Sequence, residues 1–507
     1  MVNEKININN GFIILVKYIC LIILFAAALA ILLNKKDGIL YYFIPSLNLF
    51  FKIIIILCLY IFLITFSIRI HKKSKNSFIL FLVIISGFSC FIWNYFAGTI
   101  QISDYKVLLE GASDIANGIF KEGYDKTSYY YFYNHQIGYA SYLSIIVKLL
   151  GQNIFWLKLL DCTYIIGTVL MIYIIAIKKF NENTAVISSV LYSTFLFNLF
   201  GSSIINNQHL SALLLMLGLY LFMNTTKNKY AAITGIVFGI MNVIRPFAII
   251  IIIAVSIYSL YMIFMKTNQK KWLIKLGIIL LSYFITIWVC NIILISAHLT
   301  PYPISKSNIP YFKFVIGLGA KDRSIYGTTG KTTRMSSVYT DLEEVGFDYD
   351  KYNNDSKRFV IQSILNYKST IPYLKKKMTA FLGEKDNQII FALDNIKMNS
   401  KYIVSLYKLS HLQYFLFVLF AIMSIIFKRN TIKNEGFLLY LLIIGFVLVH
   451  IPIETQTRYR YEIYIFIIIM SGDAIDQIIC RFPKLRINVS AIKSFYYART
   501  EHMFDIL

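Results

Sequence analysis

Hydrophobic runs of about 20 residues, the length a helix needs to cross a bilayer, recur through almost the whole of this chain of 507 residues. They lie near 11–33, 49–70, 78–99, 154–177, 184–200, 208–224, 230–245, 246–265, 273–297, 409–427, 437–453 and 461–479. A chain punctuated in this way is expected to be an all-α polytopic membrane protein with about twelve transmembrane helices. The composition agrees, with 57% hydrophobic and only 15% charged residues, and excludes a soluble enzyme.

The formal net charge of +24 would suit nucleic acid, but its lysines and arginines stand in short clusters between the apolar runs. That is the pattern of the positive-inside rule, and no nucleic-acid partner is expected. Taking the N-terminus as cytoplasmic places Arg69-Ile70-His71-Lys72-Lys73, Lys178-Lys179, Lys227 with Lys229, Lys266 with Lys270-Lys271, Lys428-Arg429 with Lys433, and Arg481 with Lys484 on the inner side. Only Lys35-Lys36 falls on the other side. Both termini are therefore expected in the cytoplasm of a plasma-membrane protein, with 481–507 a basic tail. The first run contains Ala26-Ala27-Ala28-Leu29-Ala30 but is long enough to span, and it reads as a retained helix rather than a cleaved signal. The six cysteines sit in or beside apolar runs and form no readable disulfide framework or zinc site.

This orientation leaves two long polar segments outside, 99–153 and 298–408, and short outer turns near 201–207, 242–247 and 454–460. The expected division is two extra N-terminal helices in 1–77, a membrane core in 78–297, a small extracytoplasmic loop domain in 298–408 and the last membrane helices in 409–480. The 298–408 segment has a helical pattern around Ser356 to Leu382. Function is expected on the outer face.

In the first outer segment, Ser103 to Phe120 reads as an amphipathic helix with Ser103 as its N-cap. Asp104 falls on the apolar stripe with Leu108, Gly111 and Ile115, while Glu110 points elsewhere. An acid there either answers the helix dipole or serves a cavity. Further on come Tyr131-Phe132-Tyr133-Asn134-His135-Gln136-Ile137-Gly138-Tyr139, whose tyrosines suit an interfacial belt or a surface that stacks on sugar rings. Arg245-Pro246, with Asn242 nearby, interrupts an apolar run where proline disfavours helix, so the chain should reverse there. Its arginine either snorkels or holds a phosphate. Glu454-Thr455-Gln456-Thr457-Arg458-Tyr459-Arg460 concentrates charge in the last outer turn, and its arginines suit an anion or lipid headgroups. Asn206-Asn207-Gln208-His209 occupies another turn, where a lone histidine is structural or catalytic. No phosphate loop, His-Glu-x-x-His or Gly-x-Ser-x-Gly motif occurs.

From about Phe78 to Tyr464, the order of Ser103-Asp104-Tyr105, His135-Gln136-x-Gly138-Tyr139 before Leu149-Leu150-Gly151, Asn207-Gln208-His209, Arg245-Pro246 and Arg458-Tyr459 resembles the membrane-embedded GT-C glycosyltransferases. The likeness is to the lipid-phosphosugar-dependent branch that includes protein O-mannosyltransferases and aminoarabinose transferases. The chain departs from it at Asn134, where members often have proline, and at Arg460-Tyr461-Glu462-Ile463, where members have prolines.

The resemblance implies an inverting transfer, on the outer face, from a polyprenyl-phosphate sugar to an acceptor hydroxyl of a cell-envelope glycan or protein. By it Asp104 is the general base, and Arg245, Arg458 and Arg460 hold the donor phosphate. Tyr105, His135, Gln136, Tyr139, Asn207, His209, Glu454, Gln456 and Tyr459 are substrate-binding. No metal is required, although Asp114, Glu110 and Glu384 are spare carboxylates. The competing readings are a polysaccharide polymerase or ligase acting on polyprenyl-pyrophosphate-linked glycans, which would not need Asp104, and a lipid or sugar transporter, which would carry more deep charges and matching broken helices.

Overall fold

The computed structural model describes residues 2–34, 39, 48–224, 227–265, 268–319, 337–394, 396, 398–428 and 436–481. The inner-side Lys266, Arg429 and Lys433, the exceptional Lys35-Lys36, the Gly- and Thr-rich part of 298–408 at 320–336 and the basic tail beyond Arg481 lie outside those residues. The described chain is all helical, with no strand among its residues. Seven of its helices are long and apolar enough to cross a membrane, and shorter apolar helices stand beside them. This is a multi-pass membrane protein.

Helices occupy every apolar run, but the run at 184–200 is broken. It forms Glu182–Ser193 and Leu196–Gly201, so the twelve uninterrupted spans read from hydropathy are not reproduced. The break is held open from a distance. Gln413 accepts from the backbone N–H of Leu196 at 2.9 Å and donates to the carbonyl of Thr194 at 2.9 Å, replacing the helix bonds lost there. Within a membrane such freed backbone groups need a protein partner, because hydrocarbon offers none.

The helix Tyr461–Arg481 lies at the centre, with Tyr461 to Ala474 buried throughout. It packs on Glu182–Ser193 and Ser400–Phe427. The N-terminal helix Val2–Leu33 joins the same core through Cys20, Leu24 and Ile31, and lies against Tyr367–Gly383, Ser400–Phe427 and Phe437–Val449. The helical pattern read around Ser356 to Leu382 is two helices, Tyr349–Leu365 and Tyr367–Gly383, separated at Asn366.

The outer amphipathic helix is shorter than its pattern suggests, running Ser103–Ala116, and Gly118 follows with φ +71°. Its cap also differs. Ile102 occupies the N-cap position without a side-chain bond, and Ser103 is the first helical residue, with a left-handed φ of +52°. Such a backbone costs a non-glycine residue about 1–3 kcal/mol and persists only where its surroundings impose it.

Replacing Gln413 with Leu should strand the Thr194 carbonyl and the Leu196 N–H, lowering stability by about 1–3 kcal/mol. Thermal unfolding of the detergent-purified variant checks this. An unchanged midpoint would mean that the break is held by something else.

Candidate active site

The segment before Asp104 is clamped to the turn that carries Asn206 to Gln208. Gln101 donates to the Ser203 carbonyl at 3.0 Å and accepts from the Ile205 N–H at 3.0 Å. Thr99 donates to the Ser203 hydroxyl at 2.9 Å, and Lys158 donates to the Thr99 carbonyl at 2.8 Å. These buried bonds supply the constraint that the left-handed Ser103 requires. Beyond it, Tyr105, Leu108, Gly111 and Ala112 bury their face of the helix, while Glu110 points out and pairs with Lys106 at 3.5 Å.

Asp104 does not point to solvent alone. Its Oδ2 accepts from Arg458 Nη2 at 2.8 Å, and Arg458 Nη1 donates to the Tyr105 hydroxyl at 3.0 Å. The guanidinium also lies over the rings of Tyr105 and Tyr459, at 5.6 and 5.9 Å. Arg458 sits in a 3-10 turn, Thr457–Arg460, and Gln208 pins that turn by donating to the Arg458 carbonyl at 2.7 Å.

Arg460 faces the opposite way, away from the cavity described below. It is 1% exposed, donates to the carbonyls of Thr457, Leu382 and Glu384 at 3.0, 3.0 and 2.8 Å, and lies 3.6 Å from Asp386. With its donors engaged and the rings of Tyr414 and Tyr464 beside it, it anchors the final helix and does not line that cavity.

The reversal at Arg245-Pro246 is present, between the helices Asn228–Ile244 and Ala248–Phe264. Arg245 lies 3.4 Å from the buried carboxylate of Glu462 and donates to Asn207 Oδ1 at 3.4 Å, while Asn207 donates to the Ile244 carbonyl at 3.1 Å. Gly138 brings His135 and Gln136 to the same place. A Cβ there would fall 2.1 Å from the Val243 carbonyl, so only glycine lets the helix Gln136–Leu150 approach that closely.

Lys313 joins these groups from the second outer segment, on the short helix Phe312–Gly317. Its carbonyl accepts from the Glu454 N–H at 2.6 Å. Lys377 holds the same helix to the last outer turn, donating to the carbonyls of Gly317, Ile451 and Ile453 at 2.7, 2.6 and 2.9 Å. Burial depresses the pKa of the Lys313 ammonium; Glu454 opposes that shift, and Arg245 and Arg458 add to it.

Together these residues surround a cavity of about 720 Å³. One end is polar, with Asp104, Tyr105, His135, Gln136, Asn207, Gln208, Arg245, Lys313, Arg458, Tyr459 and Glu462. The other is an apolar groove. Ile249, Ile250, Ile253, Ala254 and Ile257 form one face of the helix Ala248–Phe264, and Leu441, Ile444, Gly445, Leu448 and Val449 form the facing side on Phe437–Val449. Ile249, Ile253 and Leu448 are about half exposed, at 46%, 51% and 51%, so the groove opens sideways where lipid would be.

Several of the expected substrate-binding residues stand elsewhere. Tyr139 is buried in the helix packing, and His209 is fully buried with its Nδ1 2.6 Å from the Tyr461 hydroxyl, so neither lines the cavity. Gln456 donates to Glu454 at 2.9 Å, and neither lines the cavity. Sequence reading assigned no site role to Lys313, Gln208, Glu462 or His450, all of which line it. A lone lysine in Tyr311-Phe312-Lys313-Phe314-Val315 was the available signal for the first. Among the described residues no group of three or more His, Cys, Asp or Glu side chains is arranged to hold a metal ion.

Residues 134–292 match the family model of the dolichyl-phosphate-mannose-protein mannosyltransferases. The match takes in His135, Gln136, Asn207 and Arg245 and leaves Asp104 and Arg458 outside it. Two solved structures are similar at low identity. The Archaeoglobus fulgidus oligosaccharyltransferase tethered with an acceptor peptide is 13% identical, with a TM-score of 0.45, over 80% of this chain and 50% of that one. AglB from the same organism, in complex with an inhibitory peptide and a dolichol-phosphate, is 12% identical, with a TM-score of 0.47, over 83% and 52%. The chain thus spans about half the length of these structures. No curated protein matches it.

His135 supplies a pH test of this geometry. Burial and, secondarily, the Lys313 ammonium push its pKa down to about 3. Between that value and the ordinary one near ~6.5 the unfolded chain binds a proton that the folded chain does not, so His135 lowers stability as pH falls through this window. His135→Gln should flatten the acid side of a plot of melting temperature against pH; an unaltered slope would mean that the imidazole is not held neutral.

Over residues 134–292 the chain is similar to a family of membrane mannosyltransferases that falls in the branch to which the order of its motifs pointed.

Proposed function

We propose that the chain is an inverting GT-C glycosyltransferase that moves a sugar from a polyprenyl-phosphate donor to an acceptor hydroxyl on the outer face of the membrane, with both termini in the cytoplasm. The observation that carries the reading is the single cavity in which Asp104 meets Arg245, Lys313 and Arg458 at the head of a lipid-facing apolar groove. The core is 78–297, the helices of 1–77 brace it, and 298–408 closes the outer side by supplying Lys313.

The polyprenyl chain lies in the groove between Ala248–Phe264 and Phe437–Val449. Because lipid tails are as apolar as these side chains, the groove contributes van der Waals packing and alignment of the chain rather than a hydrophobic gain. The phosphate sits among Arg245, Lys313 and Arg458, whose donors can fork onto its oxygens. Tyr105, Gln136, Asn207 and Tyr459 border the sugar.

Arg458 is shared by Asp104 and Tyr105. A bound phosphate competes for that guanidinium and frees the Asp104 carboxylate to face the acceptor. Asp104 takes the acceptor hydroxyl proton as its oxygen bonds to the anomeric carbon. The bond from that carbon to the phosphate oxygen breaks with its electron pair, leaving polyprenyl phosphate. Attack opposite the leaving group inverts the sugar carbon, and the cations stabilise the charge that develops on the phosphate.

Purified protein in nanodiscs, supplied with a panel of polyprenyl-phosphate sugars, tests this. Asp104→Asn should lower transfer at least ~100-fold while donor binding persists, because proton removal typically contributes ~10²–10⁴-fold. Arg245→Ala should instead weaken donor binding, with Arg245→Lys intermediate. Normal turnover by Asp104→Asn would reject the base assignment and reopen the polymerase or ligase reading with pyrophosphate-linked glycans.

A further inference from the structure

From Ser356 to Gly383 the chain carries six cations, Lys357, Arg358, Lys368, Lys375, Lys376 and Lys377, and no acid. The second helix of this stretch, Tyr367–Gly383, has an apolar stripe, because Tyr367, Ile371, Leu374, Met378 and Phe381 follow one another at helical spacings of four and three. The two ends of the stripe differ. Phe381 is buried, with its ring stacked on that of His450 at 4.9 Å and 24°, and Met378 packs against the main core. Tyr367 and Ile371 are exposed.

The covered end rests on the ends of helices that lie in the membrane. His450 caps the apolar helix Phe437–Val449, and Lys377 donates to the Ile451 and Ile453 carbonyls just beyond it. Gly383 meets the spanning helix Gly11–Leu33 near its end, where a Cβ on the glycine would fall 2.5 Å from the backbone of Ala30. The helix Tyr367–Gly383 therefore lies across the ends of two membrane helices, and its stripe is turned towards the bilayer. From Phe381 back to Ile371 it advances about 15 Å, and over that length the stripe runs out past the protein that covers it. Ile361, Ile364 and Leu365, on one face of the preceding helix Tyr349–Leu365, extend the bare patch, with Ile364 61% and Leu365 71% exposed. Lys368 and Lys375, both exposed, flank the stripe, and the exposed Lys357 stands one turn before Ile361.

Large apolar side chains left bare beside lysines, with no acid among them, make the surface of a helix that lies in a membrane interface. We infer that the junction of these two helices, around Asn366, is a foot that enters the leaflet on the side of the membrane bearing the polar end of the cavity. Ile364, Leu365, Tyr367 and Ile371 reach the acyl boundary, and Lys368 and Lys375 meet anionic phospholipid headgroups. Seating the foot also bears on the site. Tyr373, one turn from Lys377, donates to the Ile316 carbonyl at 3.0 Å, on the helix that carries Lys313, so the foot sets the height of that helix above the leaflet. The inference rests on the membrane helices and does not depend on the glycosyl transfer proposed above.

The test uses the full-length chain with Cys58, Cys290 and Cys480 replaced by serine, in nanodiscs of phosphatidylcholine alone or mixed with phosphatidylglycerol. An environment-sensitive fluorophore is attached to Leu365→Cys or, as a control, to Glu344→Cys, an exposed position beyond the far end of the same helix. Acrylamide quenches from water and doxyl-labelled lipid from the bilayer. Acrylamide quenching is expected to be at least ~3-fold weaker at Leu365→Cys than at Glu344→Cys, with doxyl quenching confined to the former. Phosphatidylglycerol should strengthen that doxyl quenching about twofold, and the pair Lys368→Gln and Lys375→Gln should abolish the gain. Equal acrylamide quenching at the two positions would overturn the inference. Protection from acrylamide without doxyl quenching would overturn it in favour of a protein partner or a second copy of this chain, and doxyl quenching indifferent to phosphatidylglycerol would overturn the assignment of anionic headgroups.

Discussion

The ion pair between Asp104 and Arg458 joins residues 354 positions apart at 2.8 Å, and the arrangement of the outer face depends on it. Both groups lie at the boundary of an apolar interior, where an unpaired charge is expensive. The surrounding bonds ensure that they meet. Gln101, Thr99 and Lys158 hold the approach to Asp104, and Gln208 holds the turn of Arg458. A left-handed Ser103 is sustained between them. Strain beside a carboxylate, fixed by buried hydrogen bonds, fits the proposed role of Asp104, because it orders the carboxylate in advance of substrate.

The arginines show how local geometry divides similar residues between different tasks. Arg458 and Arg460 are two positions apart in a 3-10 turn, where successive side chains rotate by about 120°. One therefore faces the cavity while the other is directed into the protein. Arg460 satisfies the carbonyls of Leu382 and Glu384 in the outer segment and of Thr457 in its own turn, and Arg245 is balanced by the buried Glu462. Arg460 and Glu462, both beside the last outer turn, thereby acquire partners.

Much of this was legible in the sequence because charge in an apolar chain needs a reason. Asp104 stood on an apolar stripe, Arg245 preceded a proline between two apolar runs, and Arg458 broke the inside-positive bias. All three line one cavity. What could not be read depends on contacts between distant parts of the chain. The break in the run at 184–200 is stabilised by Gln413, more than 200 positions away. Lys313 enters the site only because Glu454 and Lys377 stitch its helix to the last outer turn. His209 matched a motif but its ring is bonded to Tyr461 in the core, a distinction that local sequence does not encode.

The central claim is that the polar end of the cavity receives a lipid-linked phosphate. An electron cryomicroscopy structure of the nanodisc-embedded protein with bound polyprenyl phosphate tests it directly. The account predicts the phosphate within hydrogen-bonding distance of Arg245, Lys313 or Arg458 and the isoprenoid chain between Ala248–Phe264 and Phe437–Val449. A phosphate bound elsewhere, with the Asp104–Arg458 pair undisturbed and the groove empty, would contradict it.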